Sequence, residues 1–200
     1  MKKVNIPREK RWVHLICLIL VPILSILGSP QISNEAVYKV NTMHDYIEQY
    51  LKLFPNLEYA EVVAVINKES GGKADLVTYE KSVKDYSYGP MQVRGKTLRA
   101  MGFRGDFRQI LNYENGIYWG MKFLSICKEN VTREYMKTHK VKNKHAIRKR
   151  TFATYNAGGV YWRTGYVGEK YINHSYVRAC EWHYWKLYKY NKFFSPANNI

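Results

Sequence analysis

The chain has 200 residues, 46% of them apolar, and 32 Lys and Arg against 16 Asp and Glu leave a formal net charge of +16. That apolar share supports a sizeable core, which excludes a chain too polar to fold, and the length suits one domain with short extensions. The charge predicts attraction to polyanions, whether nucleic acid, anionic lipid or a cell-wall polymer, without choosing among them.

The N-terminus narrows the choice. Lys2, Lys3, Arg8, Lys10 and Arg11 precede a nearly apolar run from Trp12 to Leu27, followed by Gly28, Ser29 and Pro30. A basic stretch before a short apolar one reads as a secretory signal. About 16 residues span roughly 24 Å as a helix, short of the roughly 20 residues of a typical membrane-crossing helix. Ile26 and Pro30 fit a cleavage site poorly. Residues 1–30 therefore read as a signal peptide or a signal anchor, the latter holding the chain to a membrane through 12–27. The expected location is the cell envelope, periplasmic or exported, which argues against a specific nucleic acid as partner.

Residues 31–44 read as a linker and the start of a first helix. Val37, Val40, His44, Ile47, Tyr50 and Leu51 recur at helical spacing and predict a helix over 35–53, broken by Pro55 and Asn56. A second helix over 58–69 stops at Gly71 and Gly72. Residues 73–90 read as polar loop with room for a short hairpin. A short helix follows over 97–101. Over 112–127, Ile117, Gly120, Met121 and Leu124 form one stripe of a core helix, and Gly120 permits close helix contact. Residues 139–150 are dense in Lys, His and Arg, as a solvated basic face or an anionic-polymer contact. Helices over 146–156 and 173–190 complete a domain spanning 45–190, and 191–200 form a tail. The sum is mostly α with one irregular stretch, preceded by an N-terminal apolar helix.

Cys127 and Cys180 suit either a disulfide or two buried thiols, and no cysteine has zinc-type spacing. No metal and no cofactor are expected.

Glu69 carries the functional signal. Ile66, Val65 and Val62 lie three, four and seven residues before it, on one helix face. A carboxylate there loses solvation and its pKa rises. The C-terminal, negative end of the helix dipole pushes the same way. A carboxylic acid protonated near neutrality is a general acid. By itself the position also suits a Glu that turns out to solvent beside a Gly-Gly stop.

Three stretches line up in order: Glu69-Ser70-Gly71-Gly72, Gly89-Pro90-Met91-Gln92-Val93, and Ala153-Thr154-Tyr155-Asn156-Ala157-Gly158-Gly159. In this order the chain resembles the lytic transglycosylase family of the lysozyme-like superfamily, over roughly 45–185. Ile117, Gly120 and Leu124 match the family's intervening helix, and Tyr176-Val177 its last one. Pro90, Thr154 and Gly116 depart from the family pattern, and the basic segment 133–150 lengthens the gap before Tyr155. The resemblance implies a mostly α, lysozyme-like α+β domain with a small irregular or β region, acting as a monomer on peptidoglycan glycan strands, with Glu69 as the catalytic residue. It implies cleavage between N-acetylmuramic acid and N-acetylglucosamine with formation of a 1,6-anhydro product. Gln92 and the backbone from Gly89 to Met91 would bind sugar. Tyr155 would orient Glu69 or donate to the N-acetyl group. Ser70 and Asn156 would touch substrate or fix the local backbone, and Tyr86, Tyr88, Tyr161 and Trp162 would offer stacking faces. A hydrolytic, goose-type lysozyme is the alternative, with Asp75, Glu80 or Asp85 placing a water; Asp85 is the nearest of these in sequence to Gly89, while Arg94 occupies a place where an acid would help. A non-catalytic wall-binding or polyanion-binding module is the third possibility.

Overall fold

The computed structural model describes residues 34–159 and 161–194, with side chains over 42–159 and 161–189. The expected signal segment lies outside the described residues. The chain divides into two compact units, Met1–Val40 and Asn41–Ile200. Of the first, only the start of a helix is described. The second holds everything that follows.

The architecture is mostly helical with one small antiparallel sheet. Helix α1 (Asn34–Leu51) buries Ile47 and Tyr50, as its spacing predicts, and leaves His44 exposed. Helix α2 (Tyr59–Glu69) starts where the Glu61 carboxylate accepts the Glu58 backbone N–H at 2.9 Å, satisfying a donor that helix geometry leaves over. Lys128 then donates to both Glu61 oxygens at 2.7 Å, so this buried carboxylate is paired. Val62, Val63, Ala64, Val65 and Ile66 are all buried.

The stretch expected as a polar loop with room for a short hairpin forms two strands of a three-stranded sheet. Strands β1 (Val77–Glu80), β2 (Asp85–Tyr88) and β3 (Val93–Arg94) pair in that order. The register sets Thr78 against Ser87, Glu80 against Asp85 and Ser87 against Arg94. Since successive strand residues alternate faces, Thr78, Glu80, Asp85, Ser87 and Arg94 share one polar face. Val77, Tyr79, Tyr86, Tyr88 and Val93 share the other.

A short helix α3 (Gly95–Ala100) and a 3-10 turn at Phe107–Ile110 lead into α4 (Tyr113–Thr138). The Asn112 side chain accepts the Asn115 N–H at 2.8 Å and starts α4. Ile117, Met121 and Leu124 are fully buried on it, as their stripe predicts. The helix runs eleven residues past its expected end. Val131 and Tyr135 continue the apolar spacing through the basic segment and pack on Ile147. Helix α5 (Lys144–Ala157) ends at Gly158, whose φ of 56° is of the kind glycine adopts readily. Short helices α6 (Tyr161–Thr164) and α7 (Glu169–Ile172) precede α8 (Ser175–Phe194), which extends into the expected tail. Helix α2 packs on α8 and α4 on α5. Cys127 and Cys180 are buried free thiols. No described helix is long and apolar enough to cross a membrane.

Candidate active site

Helix α2 delivers Glu69 as its last residue, directly after the buried run that ends at Ile66. The residue is half-buried, and its carboxylate opens onto a cleft of about 310 Å³. Burial pushes its pKa up to about 7. A hydrogen bond from Tyr176 and the charge of Lys68 pull the other way, and Glu80 adds a further upward push. The Tyr176 hydroxyl donates to Glu69 Oε1 at 2.6 Å. That single short bond fixes the carboxylate against α8 and leaves Oε2 for a ligand.

The turn from Gly89 to Val93 forms the cleft wall. Gly89 has a φ of 74°, and a Cβ there would lie 2.5 Å from the Ile110 carbonyl oxygen. No other residue type fits that approach. Gln92 also sits at positive φ, 47°, an uncommon conformation for a residue with a side chain. Its amide nitrogen donates to the carbonyls of Leu76 at 2.9 Å and Gly89 at 2.8 Å. Both amide protons are thereby used, which fixes the amide orientation and leaves Oε1 as an acceptor at the cleft.

Hydroxyl groups tie the separate stretches together. Ser70 donates to the Pro90 carbonyl at 2.7 Å, joining the first stretch to the second. Tyr155 donates to the Met91 carbonyl at 2.6 Å, joining the second to the third. Tyr113 donates to the Gly72 carbonyl at 2.8 Å, holding the loop after Glu69 to α4. The cleft therefore rests on a frame of hydrogen bonds between segments far apart in sequence.

Seven residues were expected at the site. Glu69, Gln92, Tyr155 and Asn156 line the cleft. Asn156 is exposed there, and its side chain has no hydrogen bond among the described residues. The other three build the wall from behind. Ser70 is buried, with its hydroxyl on Pro90 and on the Ile66 carbonyl. Met91 is fully buried against Gly120. Gly89 gives its N–H to the Leu76 carbonyl and its carbonyl to Gln92.

No family model, no curated protein and no solved structure matches this sequence.

Two residues differ from expectation in role. Tyr176, not Tyr155, orients Glu69, because the Tyr155 hydroxyl is committed to Met91. Glu80, not Asp85, shares the cleft with Glu69. Both acids lie on the polar face of the hairpin, but the Asp85 carboxylate accepts the Tyr86 N–H at 2.9 Å and the Lys96 N–H at 3.0 Å. Strand parity groups Glu80 with Ser87 once a hairpin is assumed, whereas the Tyr176-Val177 match marks a helix and says nothing of a bond to Glu69, 107 residues away. Phe123 and Tyr171 supply aromatic surface to the cleft. Of the residues expected to offer sugar-stacking faces, Tyr88 stacks on Phe107 and Tyr86 faces Tyr79 on the apolar side of the sheet. Among the described residues no group of His, Cys, Asp and Glu is arranged to hold a metal ion.

Proposed function

We propose that this protein is a peptidoglycan lytic transglycosylase. The observation that carries the proposal is Glu69: a carboxyl oriented by Tyr176, its pKa pushed up to about 7 by burial, in a cleft lined by a fixed amide acceptor and aromatic surface. Such a group can give a proton to a glycosidic oxygen near neutral pH. The substrate's own N-acetyl carbonyl would meet the positive charge that develops on the sugar, one of the exceptions to the two-carboxylate arrangement. Glu69, now ionised, would take the proton of the muramyl C6 hydroxyl, and ring closure would release a 1,6-anhydro sugar. Gln92 Oε1 would accept from an N–H or hydroxyl of the bound sugar, and Asn156 would contact it at the rim. The substrate would be glycan strands of the wall, reached by export through the basic and apolar N-terminus, with residues 12–27 as a membrane anchor if uncleaved.

A second reading rests on Glu80. Its carboxylate faces the same cleft and raises the Glu69 pKa, so it lies within electrostatic reach. An ionised acid there could hold a water for hydrolysis, giving a lysozyme. Mass spectrometry of digested murein separates the two. Anhydro-muramic ends are expected; reducing muramic ends would replace the lyase with the hydrolase. Zymography of Glu69→Gln provides the prior check. Loss of clearing of about a thousandfold or more is expected for removal of the proton donor, on the scale of general acid and orientation effects. Clearing equal to wild type would remove Glu69 from catalysis.

A further inference from the structure

Arg94 stands at a seam. It lines the Glu69 cleft and also an adjoining groove of about 360 Å³, which shares Val83 and Thr97 with that cleft. Lys96, Arg163 and Trp162 complete the groove's far wall. Three cations therefore sit side by side, beginning a few residues after Gln92.

None of the three has a carboxylate partner within salt-bridge distance among the described residues. Lys96 Nζ reaches only the Val83 carbonyl, at 3.4 Å. Arg163 lies over its neighbour Trp162, 5.1 Å from the ring centre. Asp85 shares the groove, but both of its oxygens are taken by backbone N–H groups. Arg94 is the most telling. It is half-buried, and its guanidinium makes no hydrogen bond to the described residues. Its Nη2 end points at Gly158, where an added Cβ would be 3.0 Å from Arg94 Cζ and closer still to Nη2. The absence of a side chain at Gly158 makes the space that this guanidinium occupies. Partly desolvating a cation without giving it a partner is unfavourable, and a planar guanidinium fork matches a carboxylate through two parallel hydrogen bonds.

We propose that Arg94, with Lys96 and Arg163, forms an anion subsite that takes a carboxylate carried by the same glycan that lies before Glu69. The proposal rests on the cleft being a glycan site. It makes the protein selective for acidic, muramic-type strands over uncharged N-acetylglucosamine polymers. The carboxylate has two sources, the lactyl group of a stripped muramic residue or the peptide stem attached to it.

Calorimetric titration of Glu69→Gln, which holds substrate without turning it over, tests this with three soluble oligosaccharides of equal length. These are an N-acetylglucosamine hexamer, a peptide-free muramyl glycan and a peptide-bearing one. Adding Arg94→Ala is expected to weaken carboxylate-bearing ligands tenfold to about a hundredfold, the range for hydrogen bonds to charged groups, and the uncharged hexamer less than about twofold. Arg94→Lys should restore part of the loss. A loss for both muramyl ligands assigns the lactyl carboxylate, and a loss for the peptide-bearing ligand alone assigns the stem. Equal weakening of all three ligands, or no weakening of any, overturns the anion subsite while leaving the glycan cleft in place. Failure of all three to bind the Arg94-containing protein overturns the glycan reading, and the subsite with it.

Discussion

At the residue scale, the position of Glu69 makes its ionised form costly and holds the carboxyl protonated. Its native pKa is about 7, against 4.5 as the ordinary value. Between those pH values the native state binds more protons than the unfolded chain, so stability falls as pH rises across that window. The stability is fully present below about pH 4.5 and lost above about pH 7. At about 1.4 kcal/mol per pH unit the total comes to roughly 3 kcal/mol. Glu69→Gln does not titrate, so it is expected to be more stable than wild type at pH 8 and close to it at pH 4. Urea midpoints at the two pH values measure this, and an equal difference at both would contradict the raised pKa. The same group sets the activity profile: kcat/KM should fall as pH rises through about 7, because the acid form is consumed. Tyr176→Phe removes the bond that favours the ionised form. The falling limb should then move to higher pH while kcat drops about tenfold through lost orientation. A profile that stays in place would reassign Tyr176 to packing alone.

At the element scale, Pro90 and Gly116 account for each other. A Cβ at Gly116 would lie 2.9 Å from Pro90 Cγ and 2.7 Å from the Ile110 carbonyl oxygen. Pro90 in the cleft wall and Gly116 in α4 therefore fit as a pair. One turn further along α4, a Cβ at Gly120 would lie 2.5 Å from Met91 Cβ and 2.7 Å from Cγ. Met91 is the residue directly before Gln92, so α4 sets where the Gln92 amide stands. Gly120→Ala is expected to cost about 1–3 kcal/mol by overpacking and to lower kcat by displacing the turn. Met91→Ala added to it should recover part of the stability, a coupling that a double-mutant cycle in urea reads directly. Simple additivity of the two would mean that the contact does not position the wall. These contacts also mark what the sequence could express. Periodicity located α2 and the buried stripe Ile117, Met121 and Leu124 because helix faces repeat locally. The stretch that resembled a known motif placed Glu69, Gln92, Tyr155 and Asn156 at one cleft. For 73–90 the sequence indicates no more than a loop with room for a short hairpin, because the strands are short and carry Thr, Glu, Asp and Ser on the cleft face. The Tyr176 bond and the free guanidinium of Arg94 were hidden because each depends on which distant backbone comes alongside, which spacing does not encode.

At the scale of the whole molecule, the charge of +16 is distributed rather than spent in pairs. Within the basic segment Arg150 lies 3.6 Å from Glu169, and Arg148 is buried, binds Glu181 at 2.7 Å and lies 3.7 Å from the Tyr184 ring centre. That guanidinium belongs to the packing of α5 on α8. Lys140, Lys142 and Lys144 at the α4–α5 junction are exposed, and none is in a salt bridge among the described residues. Exposed charges act over a Debye length, which shrinks from about 30 Å at 0.01 M salt to about 10 Å at 0.1 M. Lysines on such a surface therefore speed encounter with an anionic polymer and contribute little to the bond-breaking step. If murein is the substrate, KM should rise several-fold between those salt concentrations while kcat stays level. Changing Lys140, Lys142 and Lys144 together to Gln should flatten the salt dependence of KM. Arg94 is half-buried, so a carboxylate bound to it as proposed would be less screened than one met by exposed lysines, and its ligand selectivity should persist at 0.1 M salt. Steady-state kinetics on sacculi across that range separate the two contributions. A KM indifferent to salt would show that the excess positive charge has no part in reaching the wall.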